Sequence, residues 1–299
     1  MKVLLIITPH PSAPFAAALR ETAPEIEVLA YSPDITDAQL ADVEVVLAWQ
    51  LPPGLAARIP KLRWVCSVAA GVEKLLTPDL PPAVPVSRMV DPEQSRGIAQ
   101  FVVMMALRHA RQLPLYEQQQ IERRWQRHPI AAVRSTVAVL GMGAMGGEVA
   151  RLLEAVGFSV RGWSRSAGGP LDEVLAAASV VVCALPLTPA TDGLLNARAF
   201  ALMPRGAYLI NIARGGHVVE ADLIAAVKRG HLAGAALDVQ QHEPMPEDDP
   251  LWSAPGITIT PHIAAQSAMQ TIAAQFIAGY RRLANGEPLP NLVDRGRGY

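Results

Sequence analysis

Short apolar runs alternate along the chain with segments whose apolar residues repeat at the spacing of a helix. In the first third of the chain, these runs predict strands at residues 3–8, 26–31, 43–49, 64–68 and 84–88. Short links join them to the helical segments. This alternation is typical of a parallel sheet covered by helices.

A second series of the same kind follows residue 129, with strands predicted at residues 137–140, 159–163, 180–185, 207–212, 234–239 and 257–260. A long helical pattern over about residues 93–125, interrupted near Leu113-Pro114, separates the two series. A last helix over about residues 267–284 ends at Asn285-Gly286 and can return the chain to the first series. We therefore predict two α/β domains.

Size and composition narrow the class of protein. The 299 residues fit two domains, and no apolar run is long enough to span a bilayer. The 26 basic and 27 acidic residues give a net charge of −1, so we expect no nucleic-acid or membrane partner. The first apolar run stops at Thr8-Pro9, too early for a signal peptide. Cys66 and Cys183 each lie in an apolar run, which predicts buried free thiols of the kind found in cytoplasmic proteins. We expect no metal site.

The first strand of the second series is followed by a glycine-rich turn. Gly141, Gly143 and Gly146 have the spacing G-x-G-x-x-G between a strand and a helix, which is a dinucleotide-binding fingerprint. Gly141 allows a tight turn, Gly143 lets a pyrophosphate approach, and Gly146 lets the helix pack closely on the strand. The helix start, with Ala144 and Met145, offers N–H groups to phosphates. The alternative is an ordinary glycine turn, which the strand–turn–helix context disfavours.

The next strand indicates which cofactor binds. It ends at Trp163 and continues as Ser164-Arg165-Ser166, where a cofactor without a 2′-phosphate calls for a carboxylate. A guanidinium flanked by two hydroxyls suits a 2′-phosphate instead. We therefore predict NADPH, with NADH as the weaker cofactor. The alternative is that Arg165 is an ordinary solvated side chain.

Three later segments place reactive side chains just past predicted strands. They carry Arg214, Glu243 and His262, and this set suits the reduction of a 2-keto acid. An arginine binds the carboxylate through two hydrogen bonds, and a histidine supplies a proton near neutral pH. A carboxylate beside the imidazole orients it. Arg214 and Glu243 could instead form surface ion pairs, and His242 competes with His262, which we prefer because it follows a strand end.

Four motifs together resemble the D-isomer-specific 2-hydroxyacid dehydrogenases. They are the glycine fingerprint, Asn-Ile-Ala-Arg-Gly-Gly at residues 211–216, Leu-Asp-Val…Glu-Pro at residues 237–244 and Thr-Pro-His-Ile-Ala at residues 260–264. The segments 46–49, 163–166 and 293–299 resemble the bacterial A-type glyoxylate/hydroxypyruvate reductases within that family. The resemblance extends from the first strand to the last residues.

This resemblance implies two Rossmann-like or flavodoxin-like domains with parallel sheets. A nucleotide-binding domain, residues 96–265, is expected to be inserted into a discontinuous substrate domain, residues 1–95 and 266–299. Arg214 would hold the substrate, His262 would be the acid/base, and Glu243 would be its partner. The resemblance further implies a homodimer in which Trp125 reaches the partner's site.

Further site residues follow from the same resemblance. Backbone N–H groups of the loop with Ala70 and Gly71 would bind the substrate carboxylate, and Trp49 would close the pocket. The implied cofactor contacts beyond the fingerprint and the Ser164–Ser166 turn are Trp163, Leu185, Pro186, Thr191, Ala213, Asp238, His262 and Ala264.

The expected function is NADPH-dependent reduction of glyoxylate to glycolate and of hydroxypyruvate to D-glycerate. Two alternatives stay open at this stage. The chain could reduce a larger 2-keto acid, since Trp49 cannot set the size of the pocket. It could also be a non-catalytic NAD(P)-sensing interaction protein, because some relatives that act as corepressors keep the arginine, glutamate and histidine.

Overall fold

The computed structural model describes residues 1–8, 11–129, 135–296 and 298, and it divides into two compact units. The first unit combines Met1–Asp91 with Ser267–Tyr299, and the second unit is Pro92–Gln266. The motif at residues 293–299 includes Arg297 and Tyr299, which lie outside the described residues.

Within the described residues, the strands and helices alternate as the apolar pattern predicts. The strands are β1 Lys2–Ile6, β2 Glu27–Ala30, β3 Val43–Ala48, β4 Trp64–Ser67, β5 Val86–Ser87, β6 Thr136–Leu140, β7 Ser159–Trp163, β8 Val180–Cys183, β9 Ala207–Asn211, β10 Leu232–Leu237 and β11 Ile257–Ile259. The helices are α1 Ala13–Thr22, α2 Asp37–Leu40, α3 Pro92–Ala110, α4 Leu113–Ile121, α5 Ala144–Ala155, α6 Leu171–Ala176, α7 Ala197–Leu202, α8 Glu220–Lys228 and α9 Met269–Ala284.

Each unit is built on one parallel sheet. The strand order is β2-β1-β3-β4-β5 in the first unit and β11-β10-β9-β8-β6-β7 in the second. All paired strands named above run parallel. Because both faces of such sheets are covered, the inner strands are apolar on both sides and largely buried. The edge strands β2, β7 and β11 are only partly buried. The predicted fold class is confirmed.

Helices pack on both faces of the second sheet. On one face α3 and α5 contribute Val102, Ala106 and Val149 to a buried cluster, and on the other face α7 and α8 contribute Phe200 and Leu223 to another. In the first unit, α9 packs on the sheet as predicted. Its Phe276 stacks on Trp64 of β4 with ring centroids 5.3 Å apart.

The long helical pattern over residues 93–125 differs from the structure at its end. It forms two helices, α3 and α4, and the break occurs where Gln112 adopts a left-handed backbone with φ of 54°. The second helix ends at Ile121, and Arg123 again has a positive φ of 54°. Trp125 therefore lies beyond the helix, where it is 97% exposed.

Both cysteines are free and buried, as the apolar runs predict. Cys66 lies in β4 of the first unit and Cys183 in β8 of the second. Burial raises the pKa of each thiol to about 12. Both side chains are therefore neutral thiols at physiological pH.

None of the helices in the described ranges combines the length and the apolar character that a membrane span requires.

Candidate active site

One register row across the second sheet marks the carboxyl ends of its strands. Neighbouring strands pair Trp163 with Leu140, Leu140 with Cys183 and Cys183 with Asn211. The row continues from Asn211 to Leu237 and from Leu237 to Ile259. The predicted cofactor and catalytic segments of this unit all begin just past this row. The structure therefore brings them to one edge of the sheet, where open α/β sheets bind ligands.

The glycine turn lies where strand β6 has β7 on one side and β8 on the other, which is the switch point of the sheet. Gly141 has φ of 101°, and a Cβ there would lie 2.5 Å from the carbonyl oxygen of Ala184. A Cβ on Gly146 would lie 1.7 Å from the Gly141 oxygen. The fold itself therefore requires glycine at both positions.

Gly143 is different, because a Cβ there would meet no atom within 4 Å. It is exposed and precedes helix α5, whose first N–H groups lack partners within the helix. Packing within the protein gives no reason for glycine here. Bare backbone at a helix start fits the pyrophosphate of a dinucleotide.

The turn after β7 presents Arg165 to solvent. Its ends are joined by hydrogen bonds between Ser164 and Ala167, with N–O distances of 2.8 and 3.1 Å, and the Oγ atoms of Ser164 and Ser166 are 3.3 Å apart. In the described part of the chain, the Arg165 guanidinium has no hydrogen bond or ion pair. Trp163 is 8% exposed, and its Nε1 donates to the Gly169 oxygen at 3.0 Å, so its side chain supports the turn from the core.

The segment after β8 is held by Thr191. This residue is 2% exposed, and its hydroxyl donates to the Pro186 oxygen at 2.8 Å and accepts from the Thr188 N–H at 2.9 Å. Leu185 is buried in the core of the unit. Their side chains therefore shape the turn at residues 186–188 from inside.

A histidine–carboxylate pair forms the centre of the candidate site. His262 Nδ1 lies 2.9 Å from Glu243 Oε2, and both side chains are about one-third exposed, at 35% and 33%. A carboxylate only accepts hydrogen bonds, so Nδ1 carries a proton and Nε2 is the ring nitrogen that can exchange a proton with a ligand. His242 is exposed and does not form this pair.

Asp238 fixes the loop that carries His262. Its Oδ1 accepts from Thr260 Oγ1 at 2.6 Å and from the Ile263 N–H at 2.9 Å, and its Oδ2 accepts from the Ala264 N–H at 2.9 Å. His262 itself has φ of 56°, a conformation that costs about 1 kcal/mol or more. The bonds to Asp238, which is 2% exposed, compensate for that strain.

Two fully buried side chains hold the backbone of Arg214. Asn211 Nδ2 donates to the Arg214 oxygen at 2.9 Å, and His217 Nδ1 lies 3.0 Å from the same oxygen. Burial lowers the pKa of His217, so it is a neutral donor. The Ala213 N–H donates to Asn211 Oδ1 at 3.1 Å, and Arg214 Nη1 donates to the Ala213 oxygen at 2.7 Å. Sequence reasoning assigned no role to Asn211 or His217.

The candidate substrate residues of the first unit lie after its strands β3 and β4. Ser67 Oγ accepts from the Ala69 N–H at 3.0 Å and donates to the Gly71 oxygen at 2.9 Å. Among the described residues, the N–H groups of Ala70 and Gly71 have no acceptor, so they could bind an anion. Trp49 is half-buried, and the Lys74 ammonium lies 5.8 Å from the centre of its ring.

The described residues contain no cluster of histidine, cysteine or carboxylate side chains that could hold a metal ion.

A parallel sheet with a glycine turn at its switch point defines a dinucleotide-binding protein of the α/β class. Residues 103–264 match the NAD-binding domain of the D-isomer specific 2-hydroxyacid dehydrogenases. The chain belongs to this family and is an NAD(P)-dependent oxidoreductase.

Relatives with known names span most of the chain. It is 37% identical to glyoxylate/hydroxypyruvate reductase A of Yersinia enterocolitica, over 88% of this chain and 89% of that protein. A Xanthobacter autotrophicus 2-hydroxyacid dehydrogenase, solved with NADPH and MES, is 40% identical and has a TM-score of 0.90 over 100% of this chain and 99% of its own. An NADPH-dependent glyoxylate/hydroxypyruvate reductase from Sinorhizobium meliloti, solved with NADP and sulfate, is 35% identical, with a TM-score of 0.91 and the same coverage.

Proposed function

We propose that this protein reduces glyoxylate to glycolate and hydroxypyruvate to D-glycerate with NADPH. The observation that carries the proposal is the His262–Glu243 pair, 2.9 Å apart, at the same sheet edge as the glycine turn. When bound, NADPH supplies the hydride. The residues of the chain supply the proton and the binding of the substrate.

In this proposal His262 is the general acid. It protonates the carbonyl oxygen of the substrate through Nε2, while Glu243 holds Nδ1–H and stabilises the imidazolium. Arg214 binds the substrate through paired N–H groups. The N–H groups of Ala70 and Gly71 bind the substrate carboxylate, and Trp49 limits the size of the substrate.

The preference for NADPH rests on Arg165. Its unpaired guanidinium and the two neighbouring hydroxyls offer several donors to a 2′-phosphate, and no carboxylate in the turn would repel one. The crystallised relatives named above were solved with NADPH or NADP. We also propose a homodimer and a cytoplasmic location.

The decisive experiment is a substrate panel. NADPH and NADH absorbance is followed with glyoxylate, hydroxypyruvate, pyruvate and phenylpyruvate. We expect the fastest oxidation of NADPH with the first two substrates. Preference for phenylpyruvate would mean a larger substrate. Tight NADPH binding without turnover on any 2-keto acid would refute the proposal and favour a sensing protein.

His262→Asn should lower kcat roughly 100- to 10,000-fold and leave NADPH binding unchanged, because the proton transfer occurs in the transition state. His242→Asn is the matched control, since it removes a neighbouring exposed imidazole, and it should retain activity. Loss of activity in the control alone would reassign the general acid.

A further inference from the structure

Gln240 lies between Asp238 and Glu243 and is 6% exposed. Its side-chain Nε2 donates to the Leu237 oxygen at 3.0 Å and to the Thr260 oxygen at 3.3 Å. This amide therefore joins the ends of strands β10 and β11. A buried amide with two acceptors is fixed in position, because losing either bond would leave an N–H donor of the amide unsatisfied.

The same residue bonds directly to Glu243 and is linked to His262 through the carbonyl oxygen of Thr260. Its main-chain N–H donates to Glu243 Oε1 at 3.1 Å, while the other oxygen of that carboxylate faces His262. On the other side, the Thr260 oxygen that accepts from Gln240 also accepts from the His262 N–H at 3.0 Å. Gln240, Thr260, His262 and Glu243 thus form a closed ring of hydrogen bonds.

We propose that Gln240 is a positioning residue that sets the orientation of Glu243 toward His262. The catalytic role of that pair rests on the proposed function. The side-chain amide fixes the main chain at residue 240, so its N–H holds Oε1 and leaves Oε2 for Nδ1. Without the amide, the loop can turn about residue 240, and the carboxylate loses its fixed direction.

The neighbouring Gln241 offers a matched control. Its Nε2 donates to the Val218 oxygen at 2.9 Å, and its N–H donates to Glu220 Oε1 at 2.9 Å. It therefore tethers the same loop, but to a segment that contacts neither Thr260 nor Glu243 through these bonds. A purely structural role of the loop would be equally sensitive to both glutamines.

The test compares Gln240→Met with Gln241→Met, because methionine keeps the length of glutamine and removes its hydrogen bonds. Proton NMR of the imidazole Nδ1–H of His262, assigned with His262→Asn, measures the pair without turnover. We expect this signal to broaden or vanish in Gln240→Met and to persist in Gln241→Met. We also expect kcat to fall about tenfold in Gln240→Met alone, with the KM for NADPH unchanged.

The outcomes separate this inference from the proposed function. A lost signal with unchanged kcat would uphold the positioning role and refute the proposed contribution of Glu243 to turnover, while His262→Asn tests the general acid separately. An unchanged signal in Gln240→Met, or equal losses of signal in both variants, would overturn the inference.

Discussion

In the proposed function, Arg165 is the charged residue that favours NADPH over NADH. Arg165→Ala should raise the KM for NADPH roughly 10- to 100-fold, since hydrogen bonds to a charged group contribute about 1.5–3 kcal/mol. The KM for NADH should change little. Arg161→Ala, which removes an exposed arginine from strand β7 just before this turn, is the control and should affect neither cofactor. Steady-state kinetics with both cofactors decide the matter, and equal effects of Arg165→Ala on the two would refute the assignment.

The sequence alone identifies the structural role of a residue where that role follows from the backbone geometry around it. The reasons given for glycine at positions 141 and 146 are confirmed by the close approach of backbone atoms. Asn211, His217 and Gln240 could not be assigned, because each acts through a carbonyl whose position depends on the turn or on a neighbouring strand. The Gln240–Thr260 bond, for example, joins residues twenty positions apart.

Whole elements were predicted more reliably than their ends. Every predicted strand of the two series is present in the structure. Short apolar runs bounded by polar turns form buried strands in an α/β fold and few other structures. The interdomain helical pattern was wrong at its end. The predicted break near Leu113-Pro114 is present, between Ala110 and Leu113. The second helix, however, ends at Ile121 just before the left-handed Arg123, and nothing in the apolar spacing indicates a positive φ at a polar residue.

At Gly215, the backbone of the turn with Arg214 packs closely against the backbone of the loop with Glu243. A Cβ there would lie 2.0 Å from the carbonyl carbon and oxygen of Gln240. Gly215→Ala should therefore push the two segments apart and lower kcat about 100-fold or more, since small displacements of reacting groups have effects of that size. Gly147→Ala, where a Cβ would meet nothing within 4 Å, is the control for adding a methyl group near the cofactor turn. Wild-type turnover by Gly215→Ala would contradict this view.

For the whole molecule, exposed apolar side chains of residues 92–129 favour a homodimer. Trp125 is 97% exposed and Ile121 is 77% exposed, and large apolar groups of this kind mark interfaces. Trp125→Ala should weaken the dimer at least tenfold, as removal of a buried aromatic anchor does. Trp252→Ala, at a 58% exposed residue elsewhere, should not. Analytical ultracentrifugation measures both, and a monomeric wild type would refute the dimer.

Acid should destabilise the protein through the half-buried His109 and the buried His217. Burial lowers the pKa of His109 and of His217 below the ordinary 6.5. At low pH the unfolded chain therefore binds protons that the folded chain does not. The contribution of these histidines to the free energy of unfolding is fully present above about pH 6.5 and decreases as the pH falls below it. His109→Phe keeps the ring that stacks on Tyr208, with centroids 4.6 Å apart, and removes the titration. Urea unfolding at about pH 7.5 and 5.5 should show that the free energy of unfolding decreases less between these two pH values in this variant than in the wild type.

The reactivity of the two cysteines reports on the unfolding of the two units. Each sheet contains one thiol, and neither reacts while it is buried and protonated. A thiol reagent can reach Cys66 only when the first sheet separates, and Cys183 only when the second does. The labelling rates at the two positions therefore tell whether the units unfold together or one after the other, without any engineered probe.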